Sequence, residues 1–150
     1  MQEYTAMLAY IDSYWEALTR ENKQDAGTLM GLPYPYVVPG VGAMFQEMYY
    51  WDSYFTALGL VGSRHHHLVV DMAENMAHLL ERFGVIPNAS RFYFLSRSQP
   101  PFFLHMVELA LGVKELRGDA DLDTWLKRML ALAEAEHETV WHGTAQPHHR

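Results

Sequence analysis

The sequence predicts an all-α fold in which helices pair as stacked hairpins. Five stretches carry apolar residues at helical spacing, and glycine or proline separates each stretch from the next. The first predicted helix has one polar face, whereas the second is apolar or aromatic on most sides. Pairs of polar outer helices and aromatic inner helices are typical of stacked helical hairpins.

The first predicted helix spans about residues 2–20 and is followed by a long connection. Residues 22–31 contain Asn, Asp and glycines with little periodicity, which is typical of a loop. Pro33, Pro35 and Pro39 then favour an extended chain, because each proline restricts its own φ and disfavours helix in the residue before it. The apolar stripe of the first helix comprises Tyr4, Met7, Leu8, Ile11, Tyr14, Trp15 and Leu18.

The second predicted helix begins near Phe45 or Glu47 and ends at Gly59 or Gly62. Because it is apolar on most sides, we expect it to be buried. Glu47 would lie in its first turn, where the helix dipole favours a carboxylate.

The third helix has the clearest apolar stripe and covers residues 68–83. Gly84 should end it, since glycine readily adopts the left-handed conformation that closes a helix. Residues 85–90 are predicted to form a turn, and residues 91–95 a short extended segment.

Two more helices complete the predicted fold. The fourth should start at Pro100 or Pro101, where a missing N–H costs nothing, and run to Gly112. The fifth should cover residues 122–141. No linker or low-complexity segment interrupts the chain, so residues 1–150 are expected to form a single domain.

Composition and charge argue against several functional classes. The 150 residues carry a net charge of −7 with no basic stripe, which argues against a nucleic-acid partner. The absence of cysteine excludes disulfides and thiol chemistry. No apolar run approaches the roughly 20 residues of a membrane span, so no membrane partner is expected. The acidic N-terminal residues lack the layout of a signal peptide, and we expect a cytoplasmic protein.

Residues 38–55 form an aromatic run that contains two carboxylates, Glu47 and Asp52. Aromatic rings stack on the C–H faces of sugars, and carboxylates accept hydrogen bonds from hydroxyls, so this composition suits a carbohydrate site. A buried core helix whose Tyr and Trp polar groups find partners explains the same composition. On one helix, a spacing of five would place the two acids more than about 100° apart.

Further candidate binding residues lie in the loop before the fourth predicted helix. Arg97 and Gln99 precede Pro100, and the guanidinium is a multi-donor group suited to sugar hydroxyls or carboxylates. An ion pair between Arg97 and a local acid is an equally good explanation. Asn88 follows Pro87 in a turn, where asparagine is common without any ligand.

Nine histidines raise the question of a metal site. His65, His66 and His67 are consecutive, so a helix would spread them around its circumference. We see no H-x-x-x-H pair with a companion acid, and His148 and His149 lie in the C-terminal tail. No glycine-rich phosphate loop follows a predicted strand. We therefore expect neither a metal nor a cofactor.

Two stretches of the sequence carry the pattern of a known family. Residues 36–55 (YVVPGVGAMFQEMYYWDSYF) are similar to P-G-G-R-F-x-E-x-Y-x-W-D-x-Y, and residues 86–101 (IPNASRFYFLSRSQPP) are similar to N-G…Y-Y-x-x-R-S-Q-P-P. Both patterns belong to the trehalases of glycoside hydrolase family 37. They occur in the family's order and spacing, so the resemblance covers nearly the whole chain.

The resemblance implies an (α/α)6 toroid of inner and outer helices, of which this chain would supply about five helices and remain incomplete. It also implies inverting hydrolysis of α,α-trehalose. The residues that would contact glucose by motif position are Phe45 and Trp51, which would line the pocket, and Asp52, Asn88, Arg97 and Gln99, which would bind its hydroxyls.

The sequence departs from the family pattern in two respects. Met44 stands where the family has arginine, and the loop at residues 41–44 is about two residues longer, so a thioether replaces a cation. The family's general acid and base lie downstream, and no S-G-W-D motif occurs here. Inverting glycosidases need two carboxylates roughly 6.5–9.5 Å apart. Asp52 has a binding role and Glu47 a helix-start role, so no catalytic residue is assigned and the isolated chain should be inactive.

Three functional hypotheses remain open from the sequence. The chain is a hydrolase segment completed by further hairpins, a helical module that binds a sugar or a partner protein without chemistry, or part of a related (α/α)6 enzyme with a different α-glucoside substrate. If it is a hydrolase segment, Asp52 and Arg97 should face one concave surface. The open helical arc should then bind its missing half or self-associate.

Overall fold

Five α-helices dominate the computed structural model, which describes residues 2–143 and side chains from residue 4 onward. The all-α class predicted from the sequence is therefore confirmed. Within the described residues, no helix is both long and apolar enough to cross a membrane. The helices are α1 Gln2–Leu18, α2 Tyr50–Leu60, α3 His67–Phe83, α4 Phe103–Arg117 and α5 Leu122–Glu136.

Helix α3 lies at the centre of the core, in contact with α2, α4 and α5. Its apolar stripe is buried as predicted, and Gly84 ends it at a φ of 72°, in the left-handed conformation. Asn75 is fully buried on this helix, and its side chain pairs with the backbone of Tyr34 at 3.0 and 2.9 Å. This buried amide attaches the proline-rich connection to α3, because leaving it unpaired would carry a large desolvation cost.

A small two-stranded sheet joins the end of α1 to the extended connection. Strand β1, Thr19–Arg20, pairs antiparallel with β2, Tyr36–Val37, and Thr19 lies opposite Val37. Both residues of β2 are buried, so the sheet holds the connection against the core. The extended chain predicted from the prolines is present here.

Helix α2 begins at Tyr50, later than the sequence predicts. The residues before it are extended because they pair with a distant segment: Met48 accepts a hydrogen bond from the Ser90 backbone N–H at 2.9 Å, and Tyr49 forms a bridge with Ala89. This pairing keeps Met48 and Tyr49 extended, and Tyr49 is the residue that caps the start of the helix. The placement of Glu47 in the first helical turn was wrong, and Asp52 occupies that turn instead.

The predictions around α4 also need correction. Only Arg91 of residues 91–95 is extended, in a bridge with Leu29, because Phe92–Phe94 form a 3-10 turn. Both prolines precede α4, which begins at Phe103. The helix continues through Gly112, and it ends at Gly118, where φ is 70°. A glycine inside a helix weakens it without ending it, whereas a glycine with positive φ does end it.

The fifth helix extends to the predicted end, but its last turn is not α-helical. After α5 ends at Glu136, residues His137–Trp141 form a π-helical turn, in which the His142 N–H donates to the His137 carbonyl at 2.9 Å. Such wide turns are rare and often occur at functional positions.

The apolar stripe of α1 is mostly exposed. Trp15 and Leu18 pack against the core, and the Trp15 ring lies close to Gly59 of α2. The rest of the stripe has no covering element among the described residues. Its exposed members, which are between 38% and 72% exposed, are Tyr4, Met7, Leu8, Ile11 and Tyr14.

Candidate functional site

The loop before the site is held together by Gln46. Its side-chain amide donates to the carbonyls of Gly40, Gly42 and Met44 at 2.9, 2.6 and 3.2 Å. Its oxygen accepts two hydrogen bonds from the Arg20 guanidinium at 2.9 and 2.8 Å. One amide therefore closes the lengthened loop on itself and attaches it to β1.

Phe45 occupies a strained position at the end of this loop. It is the one non-glycine residue with positive φ, 60°, among residues 2–143, and its side chain is 53% exposed. Bulky residues rarely adopt this conformation, so the surrounding contacts must stabilise it. The Phe45 ring meets the Tyr49 ring edge-on, with centroids 5.8 Å apart.

Glu47 is a buried support beneath this ring pair. It is 6% exposed, accepts a hydrogen bond from the Tyr49 hydroxyl at 2.8 Å and pairs with Arg91 at 3.2 Å. Burial and the Glu47 carboxylate together raise the pKa of Tyr49 well above its usual value. Arg91 also donates to the Thr28 hydroxyl at 3.0 Å. Both carboxylate oxygens of Glu47 are therefore occupied within the protein.

The first turn of α2 meets the loop after the 3-10 turn through Gln99. The Gln99 oxygen accepts from the Trp51 backbone N–H at 3.0 Å, and its amide donates to an Asp52 carboxylate oxygen at 3.4 Å. The first N–H groups of a helix lack intrahelical acceptors, so this amide satisfies one of them and orients the acid beside it.

Asn88 joins the same two segments through its backbone. Its N–H donates to the Arg97 carbonyl at 2.9 Å, and its carbonyl accepts from the Tyr50 N–H at 3.3 Å. The Ser98 hydroxyl donates to the Ile86 carbonyl at 2.6 Å. These bonds keep residues 86–88 and 97–99 side by side at the start of α2.

Arg97 carries an exposed guanidinium at this junction. It stacks on the Phe94 ring, with 4.7 Å between the guanidinium carbon and the ring centroid. Within residues 2–143, no acid pairs with it and no side chain accepts a hydrogen bond from it, so the local ion pair considered above is absent. Its five donors point to no acceptor of the described protein.

Five of the six predicted contact residues meet at the start of α2, and the sixth, Phe45, makes a ring contact with Tyr49, the residue that precedes the helix. Hydrogen bonds connect Trp51, Asp52 and Gln99, and backbone bonds bring Asn88 and Arg97 to the same helix start. No direct bond joins Asp52 to Arg97 among the described residues, and their approach across one concave surface stays a prediction. The exposed aromatic residues around this junction are Phe45, Trp51 and Phe55.

Support from behind the site comes from a buried pair that the sequence did not reveal. The Tyr50 hydroxyl donates to Glu136 at 2.8 Å and accepts from the Phe103 backbone N–H at 3.0 Å. Burial raises the pKa of the Glu136 carboxyl to about 7. Tyr50 and Glu136 are far apart in the sequence, and no local pattern links them. Together they connect the starts of α2 and α4 to the end of α5.

Comparison with known proteins identifies relatives over most of the chain. Periplasmic trehalase of Escherichia coli O1:K1 is 50% identical over 129 residues, which are 85% of this chain and 22% of that protein. A putative periplasmic trehalase of Escherichia coli O157:H7 matches with the same identity and coverage. The chain therefore spans about a fifth of the length of these relatives.

A solved structure shows the same arrangement of helices. Neutral trehalase Nth1 from Saccharomyces cerevisiae matches 76% of this chain and 20% of its own chain, with a TM-score of 0.66 and 40% sequence identity. The five helices are consistent with an incomplete part of the (α/α)6 toroid that the sequence predicts.

The cytoplasmic location expected from the N-terminus is wrong. The curated relatives at 50% identity are periplasmic trehalases. The expectation rested on the first four residues. The chain matches about a fifth of its relatives' length, so these residues do not indicate where the protein is located.

The decisive comparison is with the family as a whole. The family model described as Trehalase matches residues 1–150, the full length of the sequence. Both family motifs lie in the structure at the start of α2, where hydrogen bonds join them. This chain belongs to the trehalase family.

Proposed function

We propose that this chain is a segment of a trehalase-type glycosidase that carries part of the glucose-binding site for inverting hydrolysis of α,α-trehalose. The observation that carries the proposal is Gln99, which joins the two family motifs by bonding to the first turn of α2 and to Asp52. The family match and the names of the relatives support the substrate. The relatives' names also favour a periplasmic location.

The proposed roles follow from what each group offers. Asp52 accepts hydrogen bonds from two sugar hydroxyls. The hydrogen bond from Gln99 to one of its carboxylate oxygens is long, at 3.4 Å, so this oxygen can still accept from a hydroxyl. Arg97 donates from its exposed guanidinium, which Phe94 holds flat. Asn88 contributes an amide that both donates and accepts. Phe45 and Trp51 stack against the apolar face of the ring, and their exposure at the junction makes this contact available.

The catalytic acid and base are proposed to lie outside these residues. An inverting glycosidase places two carboxylates roughly 6.5–9.5 Å apart on opposite sides of the scissile bond. Glu47 is buried and has both oxygens engaged, so it cannot act on a substrate. Asp52 is assigned to binding. The remaining hairpins would therefore supply the pair, and we expect no trehalose hydrolysis by residues 1–150 alone.

A chimera tests the proposal with the missing parts present. The matching segment of the Escherichia coli periplasmic trehalase is replaced by this chain, and glucose release from trehalose is measured. We expect activity, and we expect Asp52→Asn or Arg97→Lys to reduce kcat/KM by about 100-fold or more. Asp123→Asn, on the exposed side of α5, is the matched control and should change little.

Two results would contradict the proposal. A folded but inactive chimera would argue against the substrate, because the host enzyme supplies its own acid and base. An active chimera that tolerates both Asp52→Asn and Arg97→Lys would argue against the assigned binding residues.

A further inference from the structure

The π-helical turn after α5 gathers three side chains with metal-binding groups. His137, Glu138 and His142 are exposed, and one ligand atom from each lies within 4.8 Å of the other two. The two imidazole rings are 4.2 Å apart between centroids, and His142 Nδ1 is 3.5 Å from a Glu138 oxygen. This cluster is separate from the residues assigned to sugar binding.

The wide turn is what brings the histidines together. On a regular α-helix, residues five apart point about 140° away from each other. In this turn the His142 N–H bonds to the His137 carbonyl at 2.9 Å, so the two residues stand directly above one another. The spacing of five between His137 and His142 gave no metal-binding signal in the sequence, because it does not converge on an α-helix.

We propose that His137, Glu138 and His142 bind one divalent first-row transition metal ion, with Zn²⁺ the best match. Two imidazoles and one carboxylate are a common Zn²⁺ ligand set, and a fourth position would remain open to water. Ligands of a tetrahedral Zn²⁺ ion lie about 3.3–3.5 Å apart, given Zn–N distances near 2.0–2.1 Å. The Glu138–His142 pair already has this separation, and the His137 ligand atom lies within 4.8 Å of those of the other two residues.

A metal ion bound at this cluster would stabilise the π-helical turn that follows Glu136. Glu136, which holds Tyr50 behind the start of α2, directly precedes the turn. A metal that bridges His137 and His142 would stabilise the π-helical turn against unwinding. All three ligands are exposed, so an ion can enter without any opening of the protein.

Zn²⁺ titration of the 150-residue chain, by calorimetry or against a chromogenic chelator, tests the site. We expect one Zn²⁺ per chain at this cluster, and we expect His142→Ala to weaken the binding by at least about tenfold. Glu138→Gln should weaken it too, because the amide keeps the shape but loses the charge. Co²⁺ should give visible absorption bands in the unaltered chain that His142→Ala removes.

Control variants separate this cluster from the other histidines. His67→Ala and the double change His148→Ala/His149→Ala should leave the Zn²⁺ affinity within about twofold of the unaltered chain. Circular dichroism of each variant establishes that the fold is intact. Zn²⁺ affinity that survives both His142→Ala and His137→Ala, or that is lost in either control, would overturn the assignment, as would the absence of Zn²⁺ binding.

Discussion

A single side-chain amide, that of Gln99, makes two different bonds at the start of α2. Its oxygen accepts from the Trp51 N–H and its nitrogen donates to Asp52, so separate atoms of one uncharged group make the two bonds. The acid is thereby oriented by a neutral partner. An arginine or lysine in its place would hold the Asp52 carboxylate as an ion pair and compete with sugar hydroxyls.

Replacement of Gln99 by leucine should destabilise the chain by about 1–2 kcal/mol, because the Trp51 N–H and the Asp52 carboxylate each lose a partner. Urea unfolding monitored by circular dichroism measures the change. Gln24→Leu, at an exposed position in the first connection, is the control and should alter the free energy of unfolding by less than about 0.5 kcal/mol. Equal effects of the two substitutions would show that the Gln99 bonds contribute nothing.

Asp71 on α3 gives the stability a pH dependence. Burial raises the pKa of its carboxyl to about 6, from a usual value of 3.8. The folded state therefore binds this proton more tightly than the unfolded state. The contribution of Asp71 to the free energy of unfolding falls as pH rises from about 4 to 6, and it stays low above that range.

Asp71→Asn should raise the free energy of unfolding by roughly 1–2 kcal/mol at pH 7.5 and by little at pH 4, after allowance for partial exposure. Urea unfolding at the two pH values measures it. Asp123→Asn, whose carboxylate is largely exposed in a pair with Lys127, should show no such difference. A stabilisation by Asp71→Asn that is the same at both pH values would contradict the titration.

At the scale of the elements, replacement of two glycines by alanine should have opposite effects on the free energy of unfolding, although both glycines lie in open surroundings. Nothing lies within 4 Å of an added Cβ at Gly84 or Gly112, but Gly84 has a φ of 72° whereas Gly112 lies inside α4. Gly84→Ala should destabilise by about 1–2 kcal/mol because alanine is strained at positive φ. Gly112→Ala should stabilise by roughly 0.5–1 kcal/mol because it reduces backbone freedom in the unfolded chain. Thermal or urea unfolding distinguishes the signs, and two changes of the same sign would contradict this account.

The elements also show which features the sequence could predict. The stripe of α3 and its end at Gly84 follow from local periodicity and a local backbone requirement, and both were predicted. The start of α2 was misplaced because Met48 and Tyr49 pair with Ala89 and Ser90, a contact that no local pattern encodes. The π-helical turn was missed for a different reason: His137 and His142 are five residues apart, a spacing that does not converge on an α-helix.

In the candidate site, too, some residues could be predicted from sequence motifs and others could not. The family motifs identified Asp52, Arg97 and Gln99 by position, and the structure joins Gln99 to Asp52. The hydrogen bonds by which Gln46 attaches the lengthened loop to β1 depend on Arg20, which is not part of either family motif. The Tyr50–Glu136 pair joins the start of α2 to the end of α5, which are far apart in the sequence. The motifs therefore do not predict the contacts between residues that are distant in the sequence.

At the scale of the whole molecule, the exposed stripe of α1 leaves apolar area without cover. Met7 and Leu8 lie at its centre, at 56% and 65% exposed. Apolar patches larger than a few hundred Å² are unusual on soluble monomers, and they favour association. We therefore expect the isolated chain to self-associate or to bind hydrophobic dyes.

The substitution Met7→Glu/Leu8→Glu should reduce dye fluorescence and shift sedimentation towards the monomer, because it places two charges within the stripe. Leu116→Glu is the matched control: Leu116 is 86% exposed at the end of α4, away from the stripe, and its replacement should change neither property. Sedimentation velocity and dye titration provide the measurements. A compact, dye-free monomer before any substitution would contradict the expected association.

The compact span of the candidate site, residues 45–99, has a consequence for synthesis on the ribosome. Domains form from the N-terminus as the chain emerges, and contacts between near neighbours in sequence close soonest. The pairing of residues 48–50 with 88–90 and the Gln99 bonds need no residue beyond position 99. The nascent chain can therefore bring together the residues proposed to bind a sugar before α4 and α5 have left the exit tunnel. The proposed sugar-binding residues would then be in place before the remaining hairpins, which are proposed to carry the catalytic acid and base, are synthesised.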